Sequence, residues 1–272
     1  MTQIKALANV LSIAGSDPSG GAGIQGDLKT FAAMGCYGMA AISALTVQNT
    51  LGVIAVELVS PAFLAAQIDA IFADIRVDAV KIGMLGAPEQ VQAVAAAIQR
   101  WRPRHVVVDP VLAATQGVAL GASGLAGALV AELFPLASLV TPNLPEARVL
   151  AGLDGDAPEL AARLQAMGAA AVLVKGGHAE SGDVTDYLAD HDGIAPLTLP
   201  RLGTRNSHGT GCTLASAIAA GLAAGLPLRA SVGLAREQLH KALAAADQLQ
   251  VGSGAGHGPL NHFVMQPLAF SD

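Results

Sequence analysis

The sequence predicts an α/β fold: a three-layer α/β/α sandwich with a central, mostly parallel β-sheet. Short apolar runs rich in β-branched residues alternate along the chain with alanine-rich stretches of helical character. The short runs lack polar alternation, which is typical of strands buried on both faces. No linker, repeat or low-complexity tract interrupts the 272 residues, so we expect a single domain spanning residues 1–272.

Each expected element follows from the position of a patterned run between turn residues. The predicted strands are 10–14, 40–47, 53–58, 79–82, 105–109, 139–141 and 171–175. The predicted helices lie near 23–34, 61–74, 88–100, 123–133, 144–152, 157–168, 210–224 and 228–248. The polar, turn-rich stretch 176–200 holds two further strands, 184–189 and 195–199, which we expect to form a hairpin.

The composition excludes several classes of protein. With 52% hydrophobic and only 13% charged residues, a membrane-spanning protein has to be considered. The long uncharged stretches are broken by glycines and polar residues, so none offers about 20 continuous apolar residues. The net charge of −6 and the lack of a basic run argue against nucleic acid as a partner. We expect a cytoplasmic protein, whose two cysteines form neither a disulfide framework nor a metal cluster.

Residues 15–29 read GSDPSGGAGIQGDLK and contain a G-x-G-x-x-G pattern. A dinucleotide-binding fingerprint starts at the strand end and has an acidic residue about 20 positions later. Here the pattern starts seven residues after the predicted strand, and the next acidic residue after Asp27 is Glu57. The lysine of a phosphate loop is also missing. What remains is a tight turn, in which Asp27 either accepts a hydrogen bond from a flat ligand or is a favourable charge at a helix start.

The segment NSHGTGCT at 206–213 opens an apolar helix. Glycines at a helix start expose free N–H groups of the first turn, where an anion could bind and where charge on a transferring phosphoryl group would be stabilised. Cys212 lies in this turn, and the helix dipole would lower the pKa of a thiol there, as a general base requires. The alternative is an ordinary helix start with Cys212 as a small buried hydrophobe.

Four polar residues lie at or just after the ends of three other predicted strands, at the edge of the sheet where ligands bind. Asn143 and Glu146 have the spacing of a helix capping box, and Glu146 could also lie near Mg²⁺ bound to nucleotide phosphates. Asp109 ends a buried strand and is either a second carboxylate near the metal or the first residue of an Asp-Pro turn. Lys175 either pairs with a nucleotide phosphate or is a solvated residue at a strand end.

Taken together, eight segments resemble the hydroxymethylpyrimidine/phosphomethylpyrimidine kinases of thiamine biosynthesis, within the ribokinase-like superfamily. They are AGSDPSGGAGIQGDLKTF, ALTVQNT, AVKIGML, VVVDPV, TPNLPEA, VLVKGGH, NSHGTGCTLASAIAA and GHGPLNHF, spread essentially over the whole chain. The resemblance implies a ribokinase-like fold. It also implies that Asp27 and Gln48 hydrogen-bond an aminopyrimidine, in a pocket lined by Gly15 and Met84.

For the nucleotide, the resemblance implies ATP and Mg²⁺ as cofactors. Gly209, Thr210 and Gly211 would form an anion hole, with Cys212 as the catalytic base. Asn143 and Glu146 would organise the Mg²⁺. Asp109 and Lys175 would serve the ATP phosphates together with Thr210 and Asn143, and Asp109 would also lie at the metal.

The expected reaction is phosphorylation of the 5-hydroxymethyl group of 4-amino-5-hydroxymethyl-2-methylpyrimidine, followed by a second transfer that gives the diphosphate. A sibling function is a pyridoxine or pyridoxal kinase, or dual use of both rings. A different class is a non-catalytic vitamin-binding or sensing protein, against which the joint presence of Asp109, Glu146 and Cys212 speaks. We expect a small-molecule substrate, no membrane partner, and a homodimer.

Overall fold

Nine strands form one sheet in the computed structural model, which describes residues 7–112, 122–177 and 182–268. The strands are β1 (Asn9–Ser16), β2 (Tyr37–Asn49), β3 (Gly52–Leu58), β4 (Ala79–Ile82), β5 (Val106–Val108), β6 (Leu139–Val140), β7 (Val172–Val174), β8 (Val184–Asp190) and β9 (Gly193–Leu199). Their order in the sheet is β3-β2-β1-β4-β5-β6-β7-β8-β9. The six strands from β2 to β7 in this order are parallel, and β3, β8 and β9 pair antiparallel at the two edges.

Helices cover both faces of this sheet. They are α1 (Gly23–Ala33), α2 (Pro61–Asp74), α3 (Pro88–Trp101), α4 (Leu125–Ala128), α5 (Leu144–Ala151), α6 (Ala157–Ala166), α7 (Thr210–Ala223) and α8 (Leu228–Ala244). Alternate residues of the central strands enter two separate cores, as the period of two in a strand requires. Val80 and Ile82 pack on the side of α2 to α6, whereas Ala79 packs on the side of α1, α7 and α8. The predicted three-layer fold is therefore confirmed.

Most predicted elements are present with small shifts at their ends. The helix expected near 123–133 is instead a short α4 followed by a π-helical segment, Leu129–Leu133, and a 3-10 turn, Phe134–Leu136. Pro135 lacks the N–H that would continue an α-helix, which is consistent with the chain changing helix type here. The last long helix ends at Ala244 rather than near 248, and a 3-10 turn follows it at Ala246–Gln248.

The chain reverses its direction across the sheet between β1 and β4. After β1 it runs outward to β2 and β3, then returns to place β4 on the other side of β1. In open α/β sheets ligands bind beyond the carboxyl ends of the strands at such a switch point. In the described ranges, no helix combines the length and the apolar character that crossing a membrane would need.

Candidate active site

A cavity of about 590 Å³ opens at the carboxyl ends of β1, β4, β5, β6 and β7. Its lining contains every predicted site residue except Asp27. Those residues are Gly15, Gln48, Met84, Asp109, Asn143, Glu146, Lys175, Gly209, Thr210, Gly211 and Cys212. Residues from distant parts of the sequence therefore meet at one place because parallel strands present their carboxyl ends on the same edge of the sheet.

The two glycine-rich segments of the sequence pack directly against each other. A Cβ on Gly209 would overlap the carbonyl oxygen of Gly21, and a Cβ on Gly21 would overlap the ring of His208. Gly23, with a φ of +56°, likewise has no room for a side chain, because a Cβ there would overlap the carbonyl oxygen of Gly15. The glycines of the first loop thus allow the backbone at the start of α1 to approach the start of α7.

The start of α7 presents unpaired donors to the cavity. Gly209 precedes the helix with a φ of +89°, a left-handed conformation suited to glycine. The N–H of Thr210 bonds to the carbonyl of Ser207, and that of Thr213 bonds to the carbonyl of Gly209. Between them, the N–H groups of Gly211 and Cys212 have no acceptor among the described residues. These two N–H groups and the positive end of the helix dipole suit an anion.

The thiol of Cys212, in the first turn of α7, is close enough to the backbone N–H of Gly23 in the first turn of α1 for this group to favour the thiolate. The expectation of a lowered pKa for this thiol is wrong. Burial raises the pKa of the Cys212 thiol to about 11, and the carboxylates of Asp27 and Asp109 add to the effect, while Lys81 opposes it. Cys212 is therefore a thiol at neutral pH.

Asp109 and Lys175 form a buried ion pair at the ends of β5 and β7, the two strands on either side of β6. The Lys175 ammonium donates to Oδ1 of Asp109 at 2.7 Å, and the hydroxyl of Thr141 donates to the same oxygen at 3.1 Å. Burial would raise the pKa of Asp109, but the positive charges of Lys175 and Lys81 hold it below its usual value. Lys175 is only 14% exposed, so the alternative of a solvated lysine at a strand end is wrong.

Asn143 and Glu146 form the capping box that their spacing predicts. The Asn143 side chain accepts from the N–H of Glu146, and the Glu146 carboxylate accepts from the N–H of Asn143, both at 2.8 Å. Glu146 also faces the cavity, where burial raises its pKa; the charge of Asp109 also raises it, whereas Lys175 opposes the rise. Two carboxylates that face one cavity beside an anion site are oxygen ligands of the kind Mg²⁺ takes, so the residues present fit this ion.

Asp27 does not reach the cavity, which corrects its expected contact with the substrate. It is fully buried, and Lys81 on β4 donates to both of its carboxylate oxygens at 2.8 and 2.9 Å. Its oxygens also accept from the hydroxyls of Ser12 at 2.6 Å and Ser216 at 2.7 Å. These four hydrogen bonds occupy the carboxylate and leave it no face for a ligand.

Another part of the cavity wall is formed by Gly15, Gln48 and Met84. A Cβ on Gly15 would lie 3.2 Å from the sulfur of Met84, so the missing side chain keeps this wall open. The amide of Gln48 projects from β2, where its oxygen accepts from the hydroxyl of Thr46 at 3.2 Å. This part of the wall therefore combines an apolar thioether, bare backbone and one amide, which suits a small polar ring.

Asp17 and His208 are cavity residues that the sequence analysis missed. Nε2 of His208 lies 2.7 Å from a carboxylate oxygen of Asp17 and 3.4 Å from the amide nitrogen of Gln48. Burial would raise the pKa of Asp17, but hydrogen bonds from His208, Ser19 and Ala22 outweigh it and lower the pKa to about 2. Asp17 lies in the first glycine-rich segment and His208 in the second. Polar side chains close to these glycines were the signal that could have identified them as cavity residues.

A second cavity of about 320 Å³ adjoins the first across Lys175 and Thr210. Its walls combine leucines with an ion pair in which Arg236 donates to Asp186 at 2.8 Å. The leucines are Leu199, Leu202, Leu214, Leu239 and Leu243. The start of α7 thus lies between the two cavities, and an elongated ligand could occupy both.

Comparison with known proteins adds an independent observation. Residues 17–261 match the family described as phosphomethylpyrimidine kinase. The hydroxymethylpyrimidine/phosphomethylpyrimidine kinase of Rhizobium meliloti strain 1021 is 52% identical over 261 residues, covering 94% of this chain and 97% of that protein.

Two solved structures are similar to this one. The phosphomethylpyrimidine kinase of Clostridium difficile 630 has a TM-score of 0.77 at 39% identity, covering 86% of this chain and 98% of that chain. An ADP complex of Bacillus subtilis pyridoxal kinase has a TM-score of 0.85 at 33% identity, covering 94% of this chain and 98% of that chain. By sequence and by fold, the chain belongs to the phosphomethylpyrimidine kinase family.

Proposed function

We propose that this protein is an ATP-dependent kinase of thiamine biosynthesis. It phosphorylates the hydroxymethyl group of 4-amino-5-hydroxymethyl-2-methylpyrimidine and then phosphorylates the resulting monophosphate. The observation that carries this proposal is the start of α7, where the free N–H groups of Gly211 and Cys212 face the same cavity as the Asp109–Lys175 pair. The names of the Rhizobium meliloti and Clostridium difficile relatives agree with it.

The nucleotide binds across the start of α7 in this proposal. Its base and ribose occupy the smaller cavity among the leucines, and its terminal phosphates lie at the anion hole, over the free N–H groups of Gly211 and Cys212. Lys175 stands at the border of both cavities and supplies a cation to the phosphates. This placement gives the transferring phosphoryl group fixed donors on one side, which is the main contribution that a protein makes to phosphoryl transfer.

Asp109, after β5, and Glu146, in the first turn after β6, would hold the metal, with Asn143 fixing the orientation of Glu146. When bound, Mg²⁺ would neutralise negative charge on the phosphate oxygens. Lys175 holds Asp109 ionised, so this carboxylate is available as a ligand at neutral pH.

The pyrimidine binds against the part of the cavity wall formed by Gly15 and Met84, with its amino group or a ring nitrogen on the amide of Gln48. The oxygen of the hydroxymethyl group attacks the terminal phosphorus of ATP, and ADP leaves. Cys212 accepts the proton of this hydroxyl as the attack takes place. The acceptor in the second transfer is a phosphate that is already anionic at neutral pH, so this step needs no base. Cys212 is a weak acid here, so it has to lose its proton before the first transfer.

Pyridoxal kinase activity is the second candidate function, because the structure of the Bacillus subtilis pyridoxal kinase matches this fold with a TM-score of 0.85. Pyridoxal also presents a hydroxymethyl group on a six-membered ring. Gln48 is the residue that separates the two candidates, since its amide can pair with the amino group of the pyrimidine. The two functions call for the same anion hole and differ only at the part of the cavity wall that holds the ring.

We further propose that the protein is a homodimer that joins through the β2–β3 ribbon. This ribbon ends the sheet and exposes Leu45, Val47, Ile54 and Val56, with Ile54 at 74% exposure. An exposed apolar edge of this kind is a site for pairing with another chain. A dimeric mass in light scattering, reduced to a monomer by Ile54→Glu, would support this interface, and a monomeric wild type would exclude it.

The function is tested by measuring ADP release with hydroxymethylpyrimidine, its monophosphate and pyridoxal side by side. The proposal expects the highest kcat/KM with the two pyrimidines and no release when Mg²⁺ is removed with a chelator. A preference for pyridoxal would establish the second candidate instead. Tight binding of the pyrimidine without any ADP release would identify a non-catalytic vitamin-binding protein.

A further inference from the structure

The first turns of two helices lie side by side at the thiol of Cys212. The backbone N–H of Gly23 in α1 is close enough to the sulfur of Cys212 in α7 to favour its thiolate form. One helical turn later on each helix, Ser216 donates its hydroxyl to the carboxylate of Asp27 at 2.7 Å. Residues four apart lie on the same face of a helix, so the two contacts form a matched pair, one at the cavity and one beneath it.

The deeper contact is anchored to the sheet. Lys81 on β4 donates to both oxygens of Asp27, and Ser12 on β1 donates to one of them at 2.6 Å. All four side chains are fully buried. The group formed by Ser12, Asp27, Lys81 and Ser216, which we call the buried tie, joins two helices and two strands behind the thiol.

We propose that the buried tie is a positioning device for the catalytic thiol: Asp27, Lys81 and Ser216 fix the start of α7 against α1 and thereby hold the sulfur of Cys212 where it can take the proton of the alcohol. None of the three touches the cavity, so they act through Cys212 rather than on the substrate. This inference rests on the proposed function for its catalytic part. Its structural part, the position of the sulfur, stands on the contacts alone.

Stability is a poor explanation for this arrangement. Desolvating two charges costs several kcal/mol per ion, and replacing a buried ion pair with apolar residues is often neutral or stabilising. The buried tie instead fixes how these elements are oriented relative to one another, because the Asp27 carboxylate accepts hydrogen bonds from side chains on three different elements. A fixed geometry of this kind matters most where a displacement of about 1 Å can cost about 100-fold in rate.

Four charged groups act on the thiol from the elements packed around it. Lys81 on β4 favours the thiolate, and Asp27 on α1 and Asp109 after β5 oppose it. Lys175, at the end of β7, also interacts with Cys212. The ion pair of the buried tie is therefore close enough to the sulfur to influence its charge as well as its position.

The matched test compares Ser216→Ala with Ser231→Ala. Both residues are buried serines that donate a hydroxyl hydrogen bond, but Ser231 on α8 donates to the carbonyl of Leu226, away from the cavity. We expect Ser216→Ala to lower kcat for the alcohol about tenfold or more and to leave the second transfer within about twofold, since only the first transfer uses the thiol. We expect Ser231→Ala to change both transfers equally or not at all. Equal losses of both transfers in Ser216→Ala would overturn the proposal.

A second readout does not depend on kinase activity. Alkylation of Cys212 by iodoacetamide, followed by mass spectrometry of its peptide between pH 7 and 10, reports the position and charge of the sulfur. We expect a changed rate in Ser216→Ala but not in Ser231→Ala. If the wild type phosphorylates neither pyrimidine, the proposed function fails, yet this measurement still decides whether the buried tie holds the thiol.

The double variant Asp27→Asn with Lys81→Met removes both charges together and avoids leaving one buried ion unpaired. Because Lys81 has the larger effect on the thiol, its loss should slow alkylation at each pH and move the pH profile of the first transfer upward. A merely structural role would lower the melting temperature without moving this profile. An unchanged alkylation profile in the double variant, together with an unchanged rate in Ser216→Ala, would refute the proposal.

Discussion

Gly21 and Gly209 lie so close that the carbonyl oxygen of the first occupies the space that a side chain on the second would need. The two residues are far apart in the sequence and belong to the loops that precede α1 and α7. Their contact brings the starts of the two helices together around the thiol of Cys212. The G-x-G-x-x-G pattern in the first loop is thus a packing motif, because its first glycine accommodates His208 and the backbone of the anion hole.

Gly209→Ala should therefore be costly in both stability and activity. Gly225 at the other end of α7 is the matched control, since it has a similar φ of +93° but nothing within 4 Å of its missing Cβ. Backbone strain alone should cost Gly225→Ala about 1 to 2 kcal/mol. The overlap at Gly209 adds to this strain and displaces the anion hole, so Gly209→Ala should lose more stability and should raise the KM for ATP. Equal unfolding free energies for both variants in urea would contradict the packing role.

Cys212→Ala should separate the two transfers. General bases contribute about 100-fold or more, so we expect at least this loss of kcat with the alcohol and a far smaller loss with the monophosphate. The measurement is ADP release with each pyrimidine alone. Cys36→Ala is the control, because Cys36 is buried near the far end of α7 and contacts the carbonyl of Ala220. Equal losses in both transfers would remove the role of Cys212 as the base.

Glu146→Gln should distinguish the role of Glu146 in the capping box from its role as a metal ligand. Glutamine can still accept the hydrogen bond from the N–H of Asn143, so the melting temperature should hardly change. The lost carboxylate should raise the Mg²⁺ concentration for half-maximal activity by about tenfold, or about 1.4 kcal/mol. Asp156→Ala removes the cap of α6, where the Asp156 side chain accepts from the N–H of Glu159, and serves as the control. We expect it to lower stability by about 1 kcal/mol without changing the Mg²⁺ requirement.

Because of the pair of Asp17 and His208, the free energy of unfolding should fall as the pH is lowered. The pKa of Asp17 falls from an ordinary 3.8 to about 2 on folding, so its contribution is fully present above 3.8 and is lost as the pH falls through 2. The shift corresponds to about 2 kcal/mol in the free energy of unfolding. We expect the difference in this free energy between the wild type and Asp17→Asn to shrink by about 1 kcal/mol between pH 7 and pH 3 in urea denaturation. A difference that stays constant over this range would show that the carboxylate is not held in its charged form.

Local pattern was enough to predict the layers and most elements. Strands such as β5 and β7 are uninterrupted in apolar character because helices cover both of their faces, and this shows in the sequence. The helix that follows β6 was predictable because its capping box is a local motif. The π-helical segment at Leu129–Leu133 was not predictable, since its own periodicity does not show how this segment packs against α3.

The candidate site shows the same division. The predicted residues at strand ends and helix starts line one cavity, except Asp27, because parallel strands have their carboxyl ends at the same edge of the sheet. The sequence did not reveal that Asp27 forms an ion pair with Lys81. A lysine between Val80 and Ile82 in a buried strand does indicate that some counter-ion is needed. Identifying that partner needed the fold, because the two residues are 54 positions apart.

The sequence by itself determined the fold class, the sheet edge at which ligands bind and the residues available there, because burial on two faces and helix capping act over a few neighbouring residues. Only the tertiary structure decided which charged groups face the cavity and which neutralise each other inside it. The physical reason is that a buried charge is stable only beside its partner, and the partners of Asp27 and Asp17 come from distant parts of the chain.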